Sequence, residues 1–172
     1  MTLDRRSFIK VLGSASGLAL AGCASQGPVG STTEIMPKGA ARRVVVVGGG
    51  FGGAIAAKYV RMLDKSIEVV LIEQNRQFIS CPFSNFYIAG LMNDMSTLTI
   101  GYDKLAANHG IKMVYGVATA IDPAAKKVVT TEGTLTYDRL IVSPGIDFRN
   151  EEIEGYTADS AKTIPHAWKA GA

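Results

Sequence analysis

Apolar runs and hydrophilic breaks alternate along the chain in the order expected of an α/β domain. Residues 44–47 are four valines in a row, and residues 67–72 form a second, mainly apolar run. An unbroken run of β-branched residues is typical of a strand covered on both faces, as in a parallel sheet. Between the runs, Ala56, Val60 and Leu63 recur at helical spacing, which predicts a helix over about residues 52–62 with these side chains facing inward.

After residue 100 the pattern changes to short apolar runs separated by turn residues. A short helix is predicted from Asp103 to about Gly110, because glycine can take the left-handed position that ends a helix. Strand-like runs and intervening turns follow, and the return to the sheet is expected at residues 140–142. The runs are residues 111–115, 117–121, 127–131 and 135–137, with turns at 122–123 and 132–133. We interpret them as an inserted antiparallel β-meander.

The first strand breaks into a glycine-rich turn that fits the pattern G-x-G-x-x-G. Gly48, Gly50 and Gly53 occupy the glycine positions, and Phe51 and Gly52 lie between the last two. In this pattern the first glycine makes a tight bend, the second lets the backbone approach a pyrophosphate, and the third lets the helix pack closely. The N–H groups of the first helical turn favour an anion. The turn therefore predicts a dinucleotide site.

An acidic residue stands where such a site needs one. Glu73 ends the second apolar run, twenty residues after Gly53, and a carboxylate there binds the ribose hydroxyls. A charged hydrogen bond of this kind contributes roughly 1.5–3 kcal/mol. Gln74 and Asn75, which follow, are further candidate contacts. Glycine clusters also occur in flexible loops, and Glu73 could be a solvated strand-end acid, so the prediction depends on the order strand, turn, helix, strand and acid.

Two further loops are expected at the same edge of the sheet. The chain leaves the second strand into a predicted loop over residues 74–85, where Cys81 precedes Pro82. The return strand ends at residues 143–145, Ser-Pro-Gly, which form a second glycine-containing turn. Because the carboxyl ends of the strands face the ligand in an open α/β sheet, we expect both loops near the cofactor. The alternative for Cys81 is a buried structural thiol.

Composition agrees with one globular domain. Of the 172 residues, 47% are hydrophobic and 19% are charged, which is ordinary globular usage. The formal net charge is +3, and residues 1–22 supply +2 of it, from three basic residues and one acidic residue. The remainder is nearly neutral, so nothing favours nucleic acid as a partner. His109 and His166 are expected to pack or to lie at the surface, and the sequence shows no metal-ligand spacing, internal repeat or hydrolase triad.

The first 22 residues resemble a twin-arginine export signal. Residues 4–10 contain the pair Arg5 and Arg6, and residues 11–22 are weakly apolar. Those 12 residues are too few to span a bilayer, which needs about 20. We therefore predict a cleaved signal peptide over residues 1–22 and a periplasmic location, the alternative being a basic N-terminus by chance.

Residues 20–23, Leu-Ala-Gly-Cys, resemble a bacterial lipobox. In that case Cys23 becomes the lipidated first residue and anchors the protein to the membrane surface, although one lipid chain alone anchors only marginally. Ordinary cleavage nearby, with Cys23 lost or left as a bystander, is the alternative. Cys23 is the only other cysteine, so after its lipidation or removal Cys81 could not form a disulfide within the chain. Residues 23–40 are rich in Gly, Ser, Thr and Pro and are predicted to be a flexible tether.

Together these features resemble the flavoprotein disulfide reductase superfamily, whose members have two dinucleotide-binding domains. The likeness is carried by residues 44–53, Glu73, the Cys-Pro loop and residues 137–145. Shorter segments resemble one subfamily, the flavoprotein subunit of flavocytochrome c sulfide dehydrogenase. Those segments are residues 58–59, 66–69, 101–103, 155–156 and 165–171. The resemblance covers nearly everything from Arg42 to the last residue.

The resemblance implies an FAD enzyme that oxidises sulfide in the periplasm and passes electrons to a c-type cytochrome subunit carrying haem c. By this resemblance the glycine turn would contact the FAD pyrophosphate, and Glu73 would contact the adenosine ribose. Residues 143–145 would lie beside the flavin. The weakest of these assignments is a contact between the backbone of Val117 and the adenine. The resemblance places Cys81 at the position of a thioether to the flavin 8α-methyl carbon. The implied FAD contacts are Gly48, Gly50, Phe51, Gly52, Gly53, Glu73, Gln74, Asn75, Cys81, Val117, Ser143, Pro144 and Gly145.

The family continues for more than this length again. It adds a second dinucleotide-like domain, the cysteine pair that handles sulfide sulfur, a later glycine-aspartate FAD motif and a C-terminal interface domain. We therefore expect residues 41–172 to be a truncated, Rossmann-like FAD-binding domain with no catalytic residue of its own. Two alternatives remain, a sulfide:quinone or type II NADH oxidoreductase-like flavoprotein, and a lipid-anchored FAD-binding fragment without turnover.

Overall fold

The computed structural model describes residues 33–147, 149–157 and 159–160. The predicted signal peptide, with Arg5 and Arg6, and the lipobox cysteine, Cys23, lie outside the described residues. The chain forms two compact units. The first contains the described residues up to Asn75 together with Asp103–Ile146, and the second contains Arg76–Tyr102 together with the described residues from Asp147 onward.

The helices and strands of the first unit follow the order that the sequence pattern predicts, whereas the short elements between residues 77 and 101 were not predicted. In chain order they are β1 (Arg43–Val47), α1 (Phe51–Leu63), β2 (Glu68–Glu73), β3 (Gln77–Ile79), α2 (Ser84–Ile88), a 3₁₀ turn (Ser96–Leu98), β4 (Thr99–Gly101), α3 (Asp103–His109), β5 (Lys112–Tyr115), β6 (Ala118–Asp122), β7 (Lys127–Thr130), β8 (Gly133–Thr136), β9 (Arg139–Val142) and a second 3₁₀ turn (Asn150–Glu152). Within this described part of the chain, no helix combines the length and apolar character needed to cross a bilayer.

The first unit is built on a four-stranded parallel sheet in the order β5-β2-β1-β9. β1 lies inside the sheet, and Val45 and Val46 at its centre are fully buried, which explains the unbroken apolar run. The chain steps outward from β1 through β2 to β5 and then returns to the other side of β1 as β9. The order therefore reverses between β1 and β9, and in such sheets ligands bind outside the carboxyl ends of the strands at that point. The predicted Rossmann-like architecture is confirmed.

A three-stranded antiparallel meander, β6-β7-β8, covers one face of this sheet. Its side chains join alternate residues of β1, β2 and β5 in one core, as the period of two along a strand requires. The buried members are Val45, Val47, Val70, Ile72, Val114, Val128, Leu135 and Tyr137. The predicted meander is thus confirmed for its last three runs, whereas the first run, residues 111–115, contributes β5 to the parallel sheet.

Helix α1 matches its predicted bounds within one residue, but the predicted inward face was wrong. Leu63 is 86% exposed, and Ala56 and Val60 are only half-buried. The buried positions are Gly53 and Ala57, one helical turn apart. Two small residues let the helix lie close to the sheet, whereas a hydrophobicity pattern gives weight to large side chains and so selects another face.

Arg61, one turn beyond Ala57, ties the end of α1 to its neighbours. Its Nε donates to the carbonyl oxygen of His109 at 2.9 Å, and its Nη1 donates to that of Ile67 at 2.6 Å. Gly110 ends α3 with φ +62, the left-handed position that the sequence predicts. A Cβ at Gly110 would lie 3.0 Å from Arg61 Nη2. One guanidinium group therefore ties the last turn of α1 to the C-terminal end of α3 and to the segment that leads into β2.

The last part of the predicted flexible tether is fixed to the meander, which corrects that prediction. Ile35 N–H donates to the Thr134 carbonyl at 3.1 Å, and Thr134 N–H donates to the Thr33 carbonyl at 2.9 Å. Gly133 permits this approach, because a Cβ there would lie 2.5 Å from the Thr33 oxygen. Residues 33–35 thus run beside β8, so the tether does not extend to residue 40.

Arg43, the first residue of β1, is a fully buried charge at the amino end of the sheet. Its guanidinium donates to the Glu68 carboxylate and to the carbonyl oxygens of Met36, at 2.8 Å, and Pro37, at 3.0 Å. Lys112 pairs with the other carboxylate oxygen of Glu68. Burial raises the pKa of Glu68, but the hydrogen bonds from Arg43 and Lys112 outweigh it, and the net pKa is lowered. The first residues of β1, β2 and β5 are therefore joined by paired charges.

Asp138 fixes the entry to β9 against the same end of β1. Its carboxylate accepts the Arg43 N–H at 2.7 Å and pairs with Lys38 at 3.1 Å. The Arg43 N–H and, after it, Lys38 hold the pKa of Asp138 below its usual value. The backbone N–H of Asp138 donates in turn to the Arg43 carbonyl at 2.9 Å. Both strands that flank the switch point are thus aligned at their start.

The second unit contains the antiparallel pair β3–β4 and the short helix α2. Phe78 in β3 lies opposite Ile100 in β4. The sequence predicts a loop over residues 74–85, and the strand β3 within it was missed, because three residues are too few to show an alternating pattern. Cys81 and Pro82 lie between β3 and α2, in the part that is a loop.

We expect Arg43→Ala to lower the free energy of unfolding by about 3–5 kcal/mol, because it leaves Glu68 partly buried without its main partner. Arg42→Ala is the matched control, since the Arg42–Asp64 pair is exposed and its loss costs under about 1 kcal/mol. Urea unfolding followed by circular dichroism measures both variants. Equal stabilities of the two variants would contradict the structural role of Arg43.

Candidate functional site

The glycine-rich turn after β1 contacts the turn after β9 through the backbone. Gly48 has φ +96, and a Cβ on it would lie 2.0 Å from the carbonyl oxygen of Ser143. The Ser143 N–H donates to the Val47 carbonyl at 2.8 Å, and the Gly48 N–H donates to the Ile72 carbonyl at 2.9 Å. Both the backbone conformation and the space at this position therefore require glycine.

Helix α1 starts directly against this turn. A Cβ on Gly53 would lie 1.8 Å from the Gly48 carbonyl oxygen and 3.3 Å from Val46 Cγ1. A Cβ on Gly52 would lie 2.8 Å from Ser143 Oγ. Gly50 is the N-cap, in extended conformation, and its carbonyl accepts the Ala54 N–H at 2.9 Å. Close packing of helix, turn and strand is the geometry that the glycine pattern predicts.

The N-terminal end of α1 lies at the carboxyl edge of the sheet, at the switch point. The helix has 13 residues, and its first turn contains no acidic side chain. Helix N–H groups and the helix dipole favour an anion at such an end. Phe51, the first helical residue, is 54% exposed beside the glycines. The arrangement suits a phosphate or pyrophosphate group whose oxygens approach the backbone.

Glu73, the last residue of β2, is half-buried and bound to the backbone on both sides. Its Oε2 accepts the Gly49 N–H at 2.7 Å, and its Oε1 accepts the Asn75 N–H at 2.9 Å. An ionised carboxylate has about four acceptor positions, so two remain for the hydroxyls of a ribose. Gln74 lies exposed between Glu73 and Asn75. The contact with Gly49 was missed from the sequence, because no local pattern joins residues that are far apart in the chain.

Val117 lies just beyond β5, close to the end of β2. The N–H of the preceding Gly116 donates to the Glu73 carbonyl at 3.0 Å. The Val117 N–H donates to Thr131 Oγ1 at 3.2 Å, and its carbonyl accepts the Thr131 N–H at 3.0 Å. A carbonyl oxygen has a second lone pair, so this acceptor keeps capacity for a ligand, whereas the N–H is already used. The contact of Val117 with adenine stays a prediction.

Cys81 belongs to the second unit and is half-buried there. Its carbonyl accepts the Ser84 N–H at 2.9 Å, which closes the turn that leads into α2. Phe83 in this turn has φ +70, a left-handed conformation that is uncommon for a side chain of its size. Cys81 is the only cysteine among the residues that the structure describes. A covalent bond from it to a flavin stays a prediction.

The first unit thus brings most of the predicted contacts to one edge of the parallel sheet. The carboxyl ends of adjacent strands provide these contacts: the glycine turn with the start of α1, Glu73 with its neighbours, and the turn at residues 143–145. In that second turn, Pro144 is exposed and Gly145 has φ +78. Within residues 33–147, 149–157 and 159–160, no group of three or more His, Cys, Asp or Glu side chains could hold a metal ion. The residues present fit a dinucleotide.

A family model and similar proteins of known sequence point to the same family of flavoproteins. The pyridine nucleotide-disulphide oxidoreductase family matches residues 42–170. Over 44 residues the chain is 66% identical to the sulfide dehydrogenase [flavocytochrome c] flavoprotein chain of Chlorobaculum thiosulfatiphilum, covering 26% of this chain and 92% of that sequence. Over 144 residues it is 28% identical to the type II NADH:quinone oxidoreductase NdhA of Mycobacterium tuberculosis, covering 80% of this chain and 30% of that protein.

Solved structures agree. The sulfide:quinone oxidoreductase of Aquifex aeolicus superposes with a TM-score of 0.58 at 29% identity, over 62% of this chain and 25% of that one. The NAD-dependent persulfide reductase of A. fulgidus gives 0.58 at 26% identity, over 71% of this chain and 26% of that one. The chain thus spans about a quarter of the length of these two proteins. These matches agree with the resemblance carried by the glycine turn, Glu73 and the Cys-Pro loop.

We expect Gly53→Ala to destabilise the first unit by about 1–3 kcal/mol or more, because the added methyl group would meet the Gly48 carbonyl, which cannot move without breaking the turn. Gly39→Ala is the control, since nothing lies within 4 Å of a Cβ there. Thermal unfolding measures both variants. A Gly53→Ala protein as stable as Gly39→Ala would contradict the close packing of α1 on the turn.

Proposed function

Because the chain belongs to the pyridine nucleotide-disulphide oxidoreductase family, we propose that it is the FAD-binding, N-terminal part of a flavoprotein that oxidises sulfide and passes electrons to a c-type cytochrome subunit. The family makes it part of an FAD-dependent oxidoreductase. The observation that supports sulfide and cytochrome is the 66% identity over 44 residues to a sulfide dehydrogenase flavoprotein chain. Substrate, electron acceptor and partner of the whole protein are proposed on that basis.

The first unit would hold the adenosine diphosphate half of FAD at the switch point. Gly50 and the first turn of α1 would receive the pyrophosphate, because the positive end of the helix dipole lies there. Gly48, whose N–H is bound to the Ile72 carbonyl, would contribute the tight bend that brings the backbone close to the ligand. Glu73 would accept the ribose hydroxyls with its remaining lone pairs. Residues 143–145 would lie beside the flavin. Bound FAD supplies the ability to accept two electrons from a reductant and to release them singly.

Cys81 would hold the flavin through a thioether to the 8α-methyl carbon. A covalent bond prevents loss of the flavin after export to a compartment where it cannot be replaced. The thiolate is the reactive form of cysteine, so attachment needs Cys81 to be deprotonated. The C–S bond would replace one C–H bond of the 8α-methyl group, and the oxidised flavin itself would take up the two electrons, which would then pass to the proposed cytochrome subunit. We assign no catalytic residue to this chain and propose that sulfide is bound by other parts of the full flavoprotein.

We also propose that the flavoprotein works in the periplasm. The pair Arg5 and Arg6 would direct the folded, flavin-loaded protein through the twin-arginine route. Cys23 would then carry a lipid that holds the protein at the membrane surface. A c-type cytochrome subunit in the same compartment would accept the electrons.

A quinone-reducing or NADH-oxidising flavoprotein is the second candidate. It is favoured by the similarity to the Aquifex aeolicus sulfide:quinone oxidoreductase and to NdhA. The two candidates differ in their electron acceptor. Sulfide-dependent reduction of cytochrome c by the full-length flavoprotein would support the first candidate. Reduction of a quinone, with no reduction of cytochrome c, would support the second. A fragment that binds FAD without turnover is a third reading of the 172-residue chain by itself.

We expect the flavin to remain with the protein after acid precipitation in the wild type and to appear in the supernatant for Cys81→Ala. The reason is that only a thioether survives unfolding. Fluorescence of the pellet and mass analysis of the Cys81 peptide provide the measurement. Cys23→Ala is the matched control and should retain flavin. Release of flavin from the wild-type protein would refute covalent attachment.

We expect Arg5→Lys combined with Arg6→Lys to reduce the periplasmic protein to background, because lysine lacks the planar guanidinium fork. Cell fractionation with immunodetection provides the measurement. Arg42→Lys, which makes the same change outside the signal, should leave export intact. Normal periplasmic amounts of the double variant would rule out the twin-arginine route.

A further inference from the structure

We propose that Glu73 is a positioning residue for the glycine-rich turn, in addition to any contact that it makes with the ribose. The hydrogen bond from the Gly49 N–H to its carboxylate holds the turn in the anion-binding conformation before a ligand arrives. The proposal rests on the dinucleotide site described under the proposed function. It predicts that Glu73 strengthens binding of the phosphate groups even when a ligand has no ribose hydroxyls.

The geometry at Glu73 is that of a fixed acceptor. Gly49 is buried, and its N–H lies 2.7 Å from Glu73 Oε2, a short distance typical of a hydrogen bond to an ionised group. The Asn75 N–H holds Oε1 at 2.9 Å, so the orientation of the carboxylate is set independently of the turn. Glu73 itself ends β2, whose pairing with β1 fixes its backbone. The acceptor is therefore in place without any ligand.

The turn is a segment that needs such a constraint. Gly48, Gly49 and Gly50 follow one another, and glycine loses more backbone freedom on ordering than any other residue. Gly48 is held by the carbonyl of Ile72 and by its contact with Ser143. The bond at Gly49 fixes the peptide between Gly48 and Gly49, which comes directly before Gly50, the N-cap of α1. A turn ordered in advance binds more tightly, because the ligand does not have to order it.

The sign of the effect separates this role from simple electrostatics. Removal of a negative charge near a phosphate site would strengthen binding of an anion if charge repulsion were the main effect. Loss of the Gly49 hydrogen bond would weaken it. A residue that acts only through the ribose would matter only for ligands that have the ribose hydroxyls. These three expectations are distinct and measurable.

The binding test compares ADP with 2′,3′-dideoxy-ADP, which keeps both phosphates but lacks the ribose hydroxyls. Isothermal titration is performed on the flavin-free chain carrying Cys81→Ala, so that no flavin is attached covalently. We expect Glu73→Ala to weaken binding of both ligands, with a loss of roughly tenfold or more for dideoxy-ADP. Glu73→Gln, which keeps one acceptor oxygen, should lie between. Glu154→Ala removes an exposed acid of the second unit and should change neither affinity.

An unchanged or increased affinity of Glu73→Ala for dideoxy-ADP would overturn the proposal.

Amide hydrogen exchange of the ligand-free chain tests the same point without any ligand. We expect Glu73→Ala to speed exchange at Gly49 by roughly tenfold or more, while Gly48, whose N–H is bound to Ile72, keeps its protection. Equal exchange at Gly49 in both proteins would refute the role of Glu73. If wild-type protein bound neither FAD nor ADP, the proposed function would fail, and the exchange result would still decide the role of Glu73.

Discussion

The site depends on the contact of three backbone segments at positions that have no Cβ. Gly48 lies against the Ser143 carbonyl, and Gly53 lies against the Gly48 carbonyl. These contacts let the ends of β1 and β9 and the start of α1 converge within the space of one turn. Because any larger residue would displace backbone and not merely a side chain, this part of the chain has little freedom to vary. The convergence places the N-terminal end of α1 at the edge of the sheet where we propose that the pyrophosphate binds.

The two ends of the parallel sheet have opposite chemistry. At the amino end, Arg43, Glu68 and Lys112 form paired charges that close the sheet. The polar groups at the carboxyl end include the backbone of the glycine turn, the Ser143 hydroxyl and the Glu73 carboxylate. The buried ion pair at the amino end aligns the strands, while the N-terminal end of α1 and Glu73 lie together at the carboxyl end. The same strands thus provide both rigidity and recognition.

Local patterns predict the elements well. The valine run predicts β1, the glycine spacing predicts the turn, and the bounds of α1 agree within one residue. Strand β3 was missed because it is too short to show a pattern. The other failures depend on contacts between distant residues. The face of α1 was wrong because Gly53 and Ala57 contribute to packing through their small size. The docking of residues 33–35 on β8 uses backbone groups, which the composition of a tether does not show. The bond between Gly49 and Glu73 likewise has no local signal.

The central claim is that the edge formed by the glycine turn and residues 143–145 receives the pyrophosphate of FAD. Titration of the ¹⁵N-labelled, flavin-free chain with FAD, followed by amide chemical shifts, tests it most directly. We expect the largest shifts at Gly48, Gly50 and the first turn of α1, with smaller ones at Glu73 and Ser143. Shifts confined to the amino end of the sheet around Arg43, or none at saturating FAD, would contradict it.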